Sequence, residues 1–201
     1  STGIQPSVRY ANLNNYLTIN NDGTVLLQHQ SPQIVEWARF GFAQNNNLVF
    51  ENMGREMALK MNFPPNFQGV GAALMDWADV NGYQRNQFVL VDASGQSTYN
   101  QVPAFSLYDL LLQWQGLSDK QQAFQSTLPS AGEGYLINAP DFLNDRFKGM
   151  MSLNPNSVGI AGYLEHEDDR YILVMMIDKA LSPKITLDRM LQQTDRIIRL
   201  L

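Results

Sequence analysis

The run Tyr171-Ile172-Leu173-Val174-Met175-Met176-Ile177 limits the possible folds more than any other stretch of this chain. It is apolar without interruption and lacks the period-two alternation of a half-solvated strand. A strand of this kind is expected to be buried on both faces, so it needs packed layers above and below. It stands second in a predicted hairpin, Val158–Glu165 and Tyr171–Asp178, closed across His166-Glu167-Asp168-Asp169.

The layers are readable elsewhere. Ser31-Pro32 reads as an N-cap followed by proline at the first helical position. Ile34, Val35, Ala38, Phe42 and Leu48 then fall near helical spacing, and Phe50, Met53, Met57 and Met61 continue the stripe beyond Asn45-Asn46-Asn47. The triplet predicts a loop between two helices, and Phe63-Pro64-Pro65 ends the second. A third helix is expected over 69–81, then a short buried strand over 88–91 and a loop over 92–105. Two more helices are predicted over 106–115 and 118–124, the latter on the capping box Ser118-Asp119-Lys120-Gln121. Residues 126–157 carry little periodicity. Residues 185–201 read as an amphipathic helix with Leu187, Leu191, Ile197 and Ile198 on its buried side. Near the start, Tyr16–Ile19 and Thr24–Leu27 flank an Asp22-Gly23 turn and predict a hairpin, behind an extended arm over 1–15.

Composition excludes several functions. The net charge is −5, which argues against the basic footprint of a nucleic-acid binder. The sequence has no cysteine, which removes disulfides, thiolate metal sites and cysteine nucleophiles. No apolar run approaches the roughly 20 residues of a membrane span, and none reads as a signal peptide, which a mature chain would have lost. Amides are abundant: 18 Asn and 17 Gln outnumber the 33 charged residues.

Isolated motifs carry little chemistry. Gly69-Val70-Gly71 lacks the third glycine and the strand–turn–helix context of a dinucleotide fingerprint. His29 and His166 stand at no metal-ligand spacing, and Glu165, Glu167, Asp168 and Asp169 read as a solvated hairpin tip. Met53, Met57 and Met61 read as core. No cofactor and no metal site is expected.

A longer series is more specific. Leu26-Leu27-Gln28-His29-Gln30-Ser31-Pro32 is followed by the Asn triplet and Leu48. Next comes Leu90-Val91-Asp92-Ala93-Ser94-Gly95, with Ser97, Tyr99-Asn100 and Val102-Pro103 behind it. Leu128-Pro129, Ala131-Gly132, Arg146-Phe147-Lys148-Gly149 and Ala161-Gly162-Tyr163 complete it. In this order, over about residues 25–178, they resemble the C-terminal half of D-alanyl-D-alanine carboxypeptidases of the penicillin-binding protein 4 type. Residues 90–103 are the most specific part. The resemblance implies an α+β fold, with an antiparallel sheet flanked by helices, as a reduced penicillin-binding transpeptidase domain spanning 1–201. It also implies a periplasmic location, and a peptidoglycan stem peptide as a possible ligand.

The resembled enzymes acylate the serine of S-x-x-K, assisted by S-x-N and K-T-G. No serine in this chain has lysine three positions later. Asn45 stands where S-x-N has its serine, and an amide cannot relay a proton as a hydroxyl can. Asn47 keeps the asparagine. Between Arg146–Gly149 and Ala161-Gly162-Tyr163 there is no lysine, and the K-T-G strand is expected to be deleted. The loop glycine of the family has become Ala93. The expected reading is a non-catalytic binding or assembly module with no catalytic residues. Asn45, Asn47, Asp92, Ser94 and Gly95 are then vestigial substrate-site positions. Two alternatives stay open: a serine hydrolase built on Ser94 with His29 as base, or half of an enzyme completed by a partner chain. With one K-T-G strand gone and the 16–28 hairpin placed beside Tyr171–Asp178, Val158, Ile160, Gly162 and Leu164 are expected as an exposed edge. A homodimer or a partner strand would dock there.

Overall fold

Asparagine punctuates the helical side. The computed structural model describes residues 31–83 and 88–200; the expected arm, the 16–28 hairpin and His29 lie outside these residues. Helix α1 (Ile34–Ala43) starts later than Ser31-Pro32 suggests, because Gln33 forms a capping box with Glu36, whose Oε2 accepts the Gln33 N–H at 3.1 Å. Asn45 follows at φ 47, a left-handed conformation that asparagine tolerates better than most residues. Asn46 then caps α2 (Asn47–Lys60), its side-chain oxygen accepting from the N–H groups of Leu48 and Val49. Asn66 caps α3 (Phe67–Val80) by accepting from Gly69 at 2.9 Å. Small residues let α2 and α3 approach closely, and Ala58, Val70 and Ala73 are sealed between them. Helix α4 (Ala104–Trp114) follows Pro103, and α5 (Asp119–Gln125) opens on the Ser118–Gln121 capping box that its sequence predicts.

The strand expected over 88–91 is reduced to one bridge, Val89 to Gln101, with bonds of 2.7 and 2.8 Å. Residues 126–157 hold more structure than their composition suggests: two 3₁₀ turns, Gly134–Leu136 and Asp141–Leu143, and a full strand, β1 (Phe147–Leu153). The hairpin β2 (Ser157–His166) and β3 (Asp169–Asp178) forms as predicted, with Glu167 left-handed at its tip. Among the described residues these make an antiparallel sheet in the order β1-β2-β3.

That order corrects the expected edge. Val158, Ile160, Gly162 and Leu164 pair with Leu153, Met151, Gly149 and Phe147 on one side and with Ile177, Met175, Leu173 and Tyr171 on the other. They form the central strand, and all four are buried. The uninterrupted apolar run lies instead on β3, at the border of the described sheet, where most of its side chains are only partly covered. Helices α4 and α6 (Pro183–Ile198) pack on its two faces, and face coverage is independent of pairing in the hydrogen-bonding direction.

On the α6 face, Phe147, Met151, Val158, Ile160 and Leu164 enclose Leu143, Met190 and Ile198. Ile197 points outward at 48% exposure, contrary to the predicted stripe; Thr194 takes the buried place between Met190 and Ile198. Gly149 faces Gly162 in the middle of this face, and the Phe147 ring fills the space a side chain at 149 would need. On the opposite face Tyr163 is buried beneath α4 and donates its hydroxyl to the Leu111 carbonyl at 2.8 Å.

A Cβ at Gly162 would overlap the Lys148 carbonyl and the Gly149 Cα, both backbone atoms. Gly162→Ala is therefore expected to destabilise the fold by about 2–3 kcal/mol, read as a lower urea midpoint. Burial pushes the Tyr163 phenol up from its ordinary 10.0 to about 12, against a downward pull from Arg170. The fold keeps this group neutral, whereas the unfolded chain ionises it at the ordinary value. Its stabilisation is whole below pH 10 and is lost as pH rises to about 12. Tyr83, raised by burial and then by Asp109, acts in the same direction. The urea midpoint should fall across that window, and Tyr163→Phe should flatten the fall while costing about 1–3 kcal/mol at neutral pH, because the Leu111 carbonyl loses its donor.

Candidate functional site

Four backbone segments meet around a cleft of about 460 Å³: the α1–α2 junction, the loop 93–96, Tyr135, and the second half of β1. The cleft brings together Asn45, Asn47, Ser94 and Gly95 of the sequence-derived set; Asp92 does not line it but lines a second hollow. The strand expected to be missing is present. The strand beside Ile160-Ala161-Gly162-Tyr163 is β1, and Met150, Met151 and Ser152 line the cleft opposite the asparagines. Thus the position is filled: β1 carries Lys148 and Gly149 but no contiguous Lys-Thr-Gly, and neither of the two lines the cleft.

The 92–100 loop is fixed by its own polar groups. Asp92 Oδ1 accepts from the Gly95 N–H and from Asn100 Nδ2, both at 2.8 Å, and its Oδ2 accepts from the Ser97 N–H at 2.6 Å. Asn100 Oδ1 in turn accepts from the Val91 N–H at 2.9 Å. Gly95 holds φ +74, the left-handed region that favours glycine. Glu51, one turn into α2, ties the loop to the helix by accepting the Ser94 N–H at 3.0 Å; its other oxygen is buried without a hydrogen-bond partner. Ala93, in place of the resembled glycine, packs against Gly54, where a Cβ would come within 2.6 Å of the Ala93 methyl.

The chemistry of the cleft lies in what lines it. Its polar groups are Asn45, Asn47, Asn154, Gln96, Ser94, Ser152 and Tyr135, and its apolar walls are Phe42, Phe50, Met150, Met151 and Leu153. Among the described residues that line it there is no carboxylate, no imidazole, no ammonium and no guanidinium. Such a surface can exchange hydrogen bonds with amides, but its lining supplies no general base for a serine and no cation for a carboxylate, and the adjoining Glu51 is bound to the Ser94 backbone N–H. Sequence reasoning missed Met150–Ser152, Tyr135, Gln96 and Asn154. A search that aligned β1 by its alternation of buried and open positions, rather than by the presence of a lysine, could have found the first three.

A larger hollow of about 720 Å³, lined by Phe67, Gly71, Met75 and Val89–Val91, is almost wholly apolar. Its one ionisable group, Asp92, already has both oxygens engaged, so the hollow offers no chemistry. The acidic hairpin tip is a charged turn in which Glu165 pairs with Arg170 at 2.6 Å. Among the described residues no group of His, Asp and Glu gathers as a metal site. Asp92→Ala is expected to remove the loop's anchor, lowering stability by about 1–3 kcal/mol and accelerating amide exchange at Gly95 and Ser97 well beyond the rest of the chain.

Residues 13–189 match the family described as D-Ala-D-Ala carboxypeptidase 3 (S13). A stretch of 90 residues, 44% of the chain, is 32% identical to carboxypeptidase DacB of Mycolicibacterium smegmatis, of which it covers 19%. The fold is similar to penicillin binding protein 4 of Haemophilus influenzae, complexed with a β-lactam, with a TM-score of 0.68 at 19% identity over 90% of this chain and 47% of that one. It is also similar to a predatory endopeptidase of Bdellovibrio bacteriovorus in complex with an immunity protein, with a TM-score of 0.65 at 14% identity over 84% of this chain and 44% of that one. The chain thus spans about half the length of these solved structures.

Proposed function

Because the chain belongs to the D-Ala-D-Ala carboxypeptidase 3 (S13) family, we propose that it is a carboxypeptidase-like module that has kept the family's cleft and lost its acyl-transfer chemistry. It serves as a binding or assembly unit in the bacterial cell envelope, outside the inner membrane. The observation that carries this reading is the uncharged lining of the cleft: among the described residues that line it, two serines, four amides and a tyrosine, with the neighbouring Glu51 carboxylate engaged by the Ser94 backbone N–H. Acyl transfer needs a nucleophile activated by a neighbouring base, and neither S-x-x-K nor K-T-G occurs in this sequence. One further feature supports the placement: the relatives named above include a penicillin binding protein.

The amide-lined cleft, open along the second half of β1, suits an extended peptide, and a peptidoglycan stem peptide is the ligand we assign to it. With no cation in the lining, recognition would rest on amide hydrogen bonds rather than on a terminal carboxylate.

Incubation with a fluorescent penicillin, followed by intact-mass spectrometry, should give no covalent adduct, and D-Ala-D-Ala peptides should not be hydrolysed. Asn45→Ser and Met150→Lys, alone or together, should leave both results unchanged, since no nucleophile is restored. A stoichiometric adduct on the wild type would overturn the reading. If Ser94→Ala then abolished it, the hydrolase built on Ser94 would take its place.

A further inference from the structure

The backbone donors of the loop that borders the cleft are already held by carboxylates. Ser94 gives its N–H to Glu51 Oε1 at 3.0 Å, and Gly95 and Ser97 give theirs to the two oxygens of Asp92 at 2.8 and 2.6 Å. A tight turn through a left-handed residue, as at Gly95 with φ +74, commonly turns successive N–H groups toward an anion. Here two side chains of the protein itself supply the anions. The second oxygen of Glu51 is buried with no hydrogen-bond partner, so this acid has room for a donor and none for a further acceptor.

The other feature that favours an anion is the N-terminus of α2, which contributes Asn47 to the cleft. Asn46 closes it, its side-chain oxygen accepting from Leu48 and Val49 at 3.1 and 3.4 Å. On the opposite wall β1 contributes Met150, Met151 and Ser152, none of which is a cation. A carboxylate entering the cleft would give up its water, find these backbone donors taken and meet Glu51 at like charge. An amide meets a different surface. Asn45, Asn47, Gln96 and Asn154 each carry both a donor and an acceptor, and an amide can use both where a carboxylate can use only the donors.

We propose that Glu51 is the specificity-determining group of this cleft: by holding the Ser94 N–H and setting an acid against the loop, it makes the site select peptides whose carboxyl end is blocked as an amide and reject those that end in a free carboxylate. This rests on the peptide-binding reading above and narrows its ligand to uncharged peptide segments.

The test uses the full chain and two ligands that differ in one group. Nα,Nε-diacetyl-L-lysyl-D-alanyl-D-alanine ends in a carboxylate, and its C-terminal carboxamide is uncharged. Dissociation constants are read from chemical-shift changes of the isotope-labelled protein at the Asn47, Ser94 and Gly95 amides. The carboxamide should bind at least about tenfold more tightly than the carboxylate. Glu51→Gln keeps an acceptor for the Ser94 N–H and removes the charge. It should cut that ratio to about threefold or less by tightening the carboxylate peptide, with the carboxamide held within about twofold. A purely structural role would weaken both ligands together and leave the ratio where it was. Met150→Lys adds a cation to the lining and should lower the ratio by the same route, which keeps the proposal open to refutation should Glu51→Gln not fold. Circular dichroism of each variant checks that it is folded. A wild type that binds the carboxylate peptide as tightly as the carboxamide, or more tightly, overturns the proposal and leaves the peptide-binding reading standing. So does a folded Glu51→Gln or a folded Met150→Lys that keeps the wild-type ratio. If neither peptide binds, the peptide-binding reading falls and this proposal falls with it.

Discussion

The fold depends on the placement of β2 between β1 and β3. Its residues point alternately into the α6 core and toward α4, so one strand joins two otherwise separate apolar clusters. The Gly149–Gly162 contact lets β1 come close enough for the Phe147 ring to close the α6 side, and the Tyr163 hydroxyl anchors α4 to the other. Everything with functional content hangs from this strand. β1, on one side, forms a wall of the cleft, and β3, on the other, carries the apolar run that packs beneath α4. Loss of the central strand would remove both.

How much of this could be read from sequence depended on how local the signal was. The capping box at Ser118, the break at Asn45–Asn47 and the hairpin turn at Glu167 are decided within a few residues by side chains bonding their own backbone. These were legible. The sheet order was not, because an uninterrupted apolar run reports that both faces are covered and says nothing about neighbours in the hydrogen-bonding direction. Tyr171–Ile177 satisfies its pattern by packing under α4 and α6 and still ends the described sheet. β1 was hidden for a different reason. Its exposed Lys148, its glycine and its serine break the β-propensity signal, and only pairing with β2 makes Phe147–Leu153 a strand.

The candidate site was half legible. The series from Leu90 to Pro103 includes the loop on one side of the cleft, and the Asn triplet supplies Asn45 and Asn47 to its lining. Yet each asparagine of that triplet has a backbone duty: Asn45 in the left-handed turn, Asn46 as the cap, Asn47 as the first residue of α2. Likewise Asp92 has both oxygens engaged in holding its own loop. Residues that look like remnants of an active site are thus kept in place by the architecture alone. Their presence reports on folding, whereas the identity of the groups on β1 reports on chemistry.

The outer side of β1 has one further consequence. Pro129–Ala131 lies along it: the Ala131 N–H donates to the Phe147 carbonyl at 2.8 Å and the Gly149 N–H donates to the Pro129 carbonyl at 3.0 Å. That border is occupied by the chain itself, and proline contributes no donor to it. A sheet with two open borders can add copies without limit and grow into a fibre, as edge-to-edge aggregation does. With this border blocked, no strand can be added along the full length of β1. The small segment beside β1 therefore acts as a terminator of the sheet on the side of the cleft.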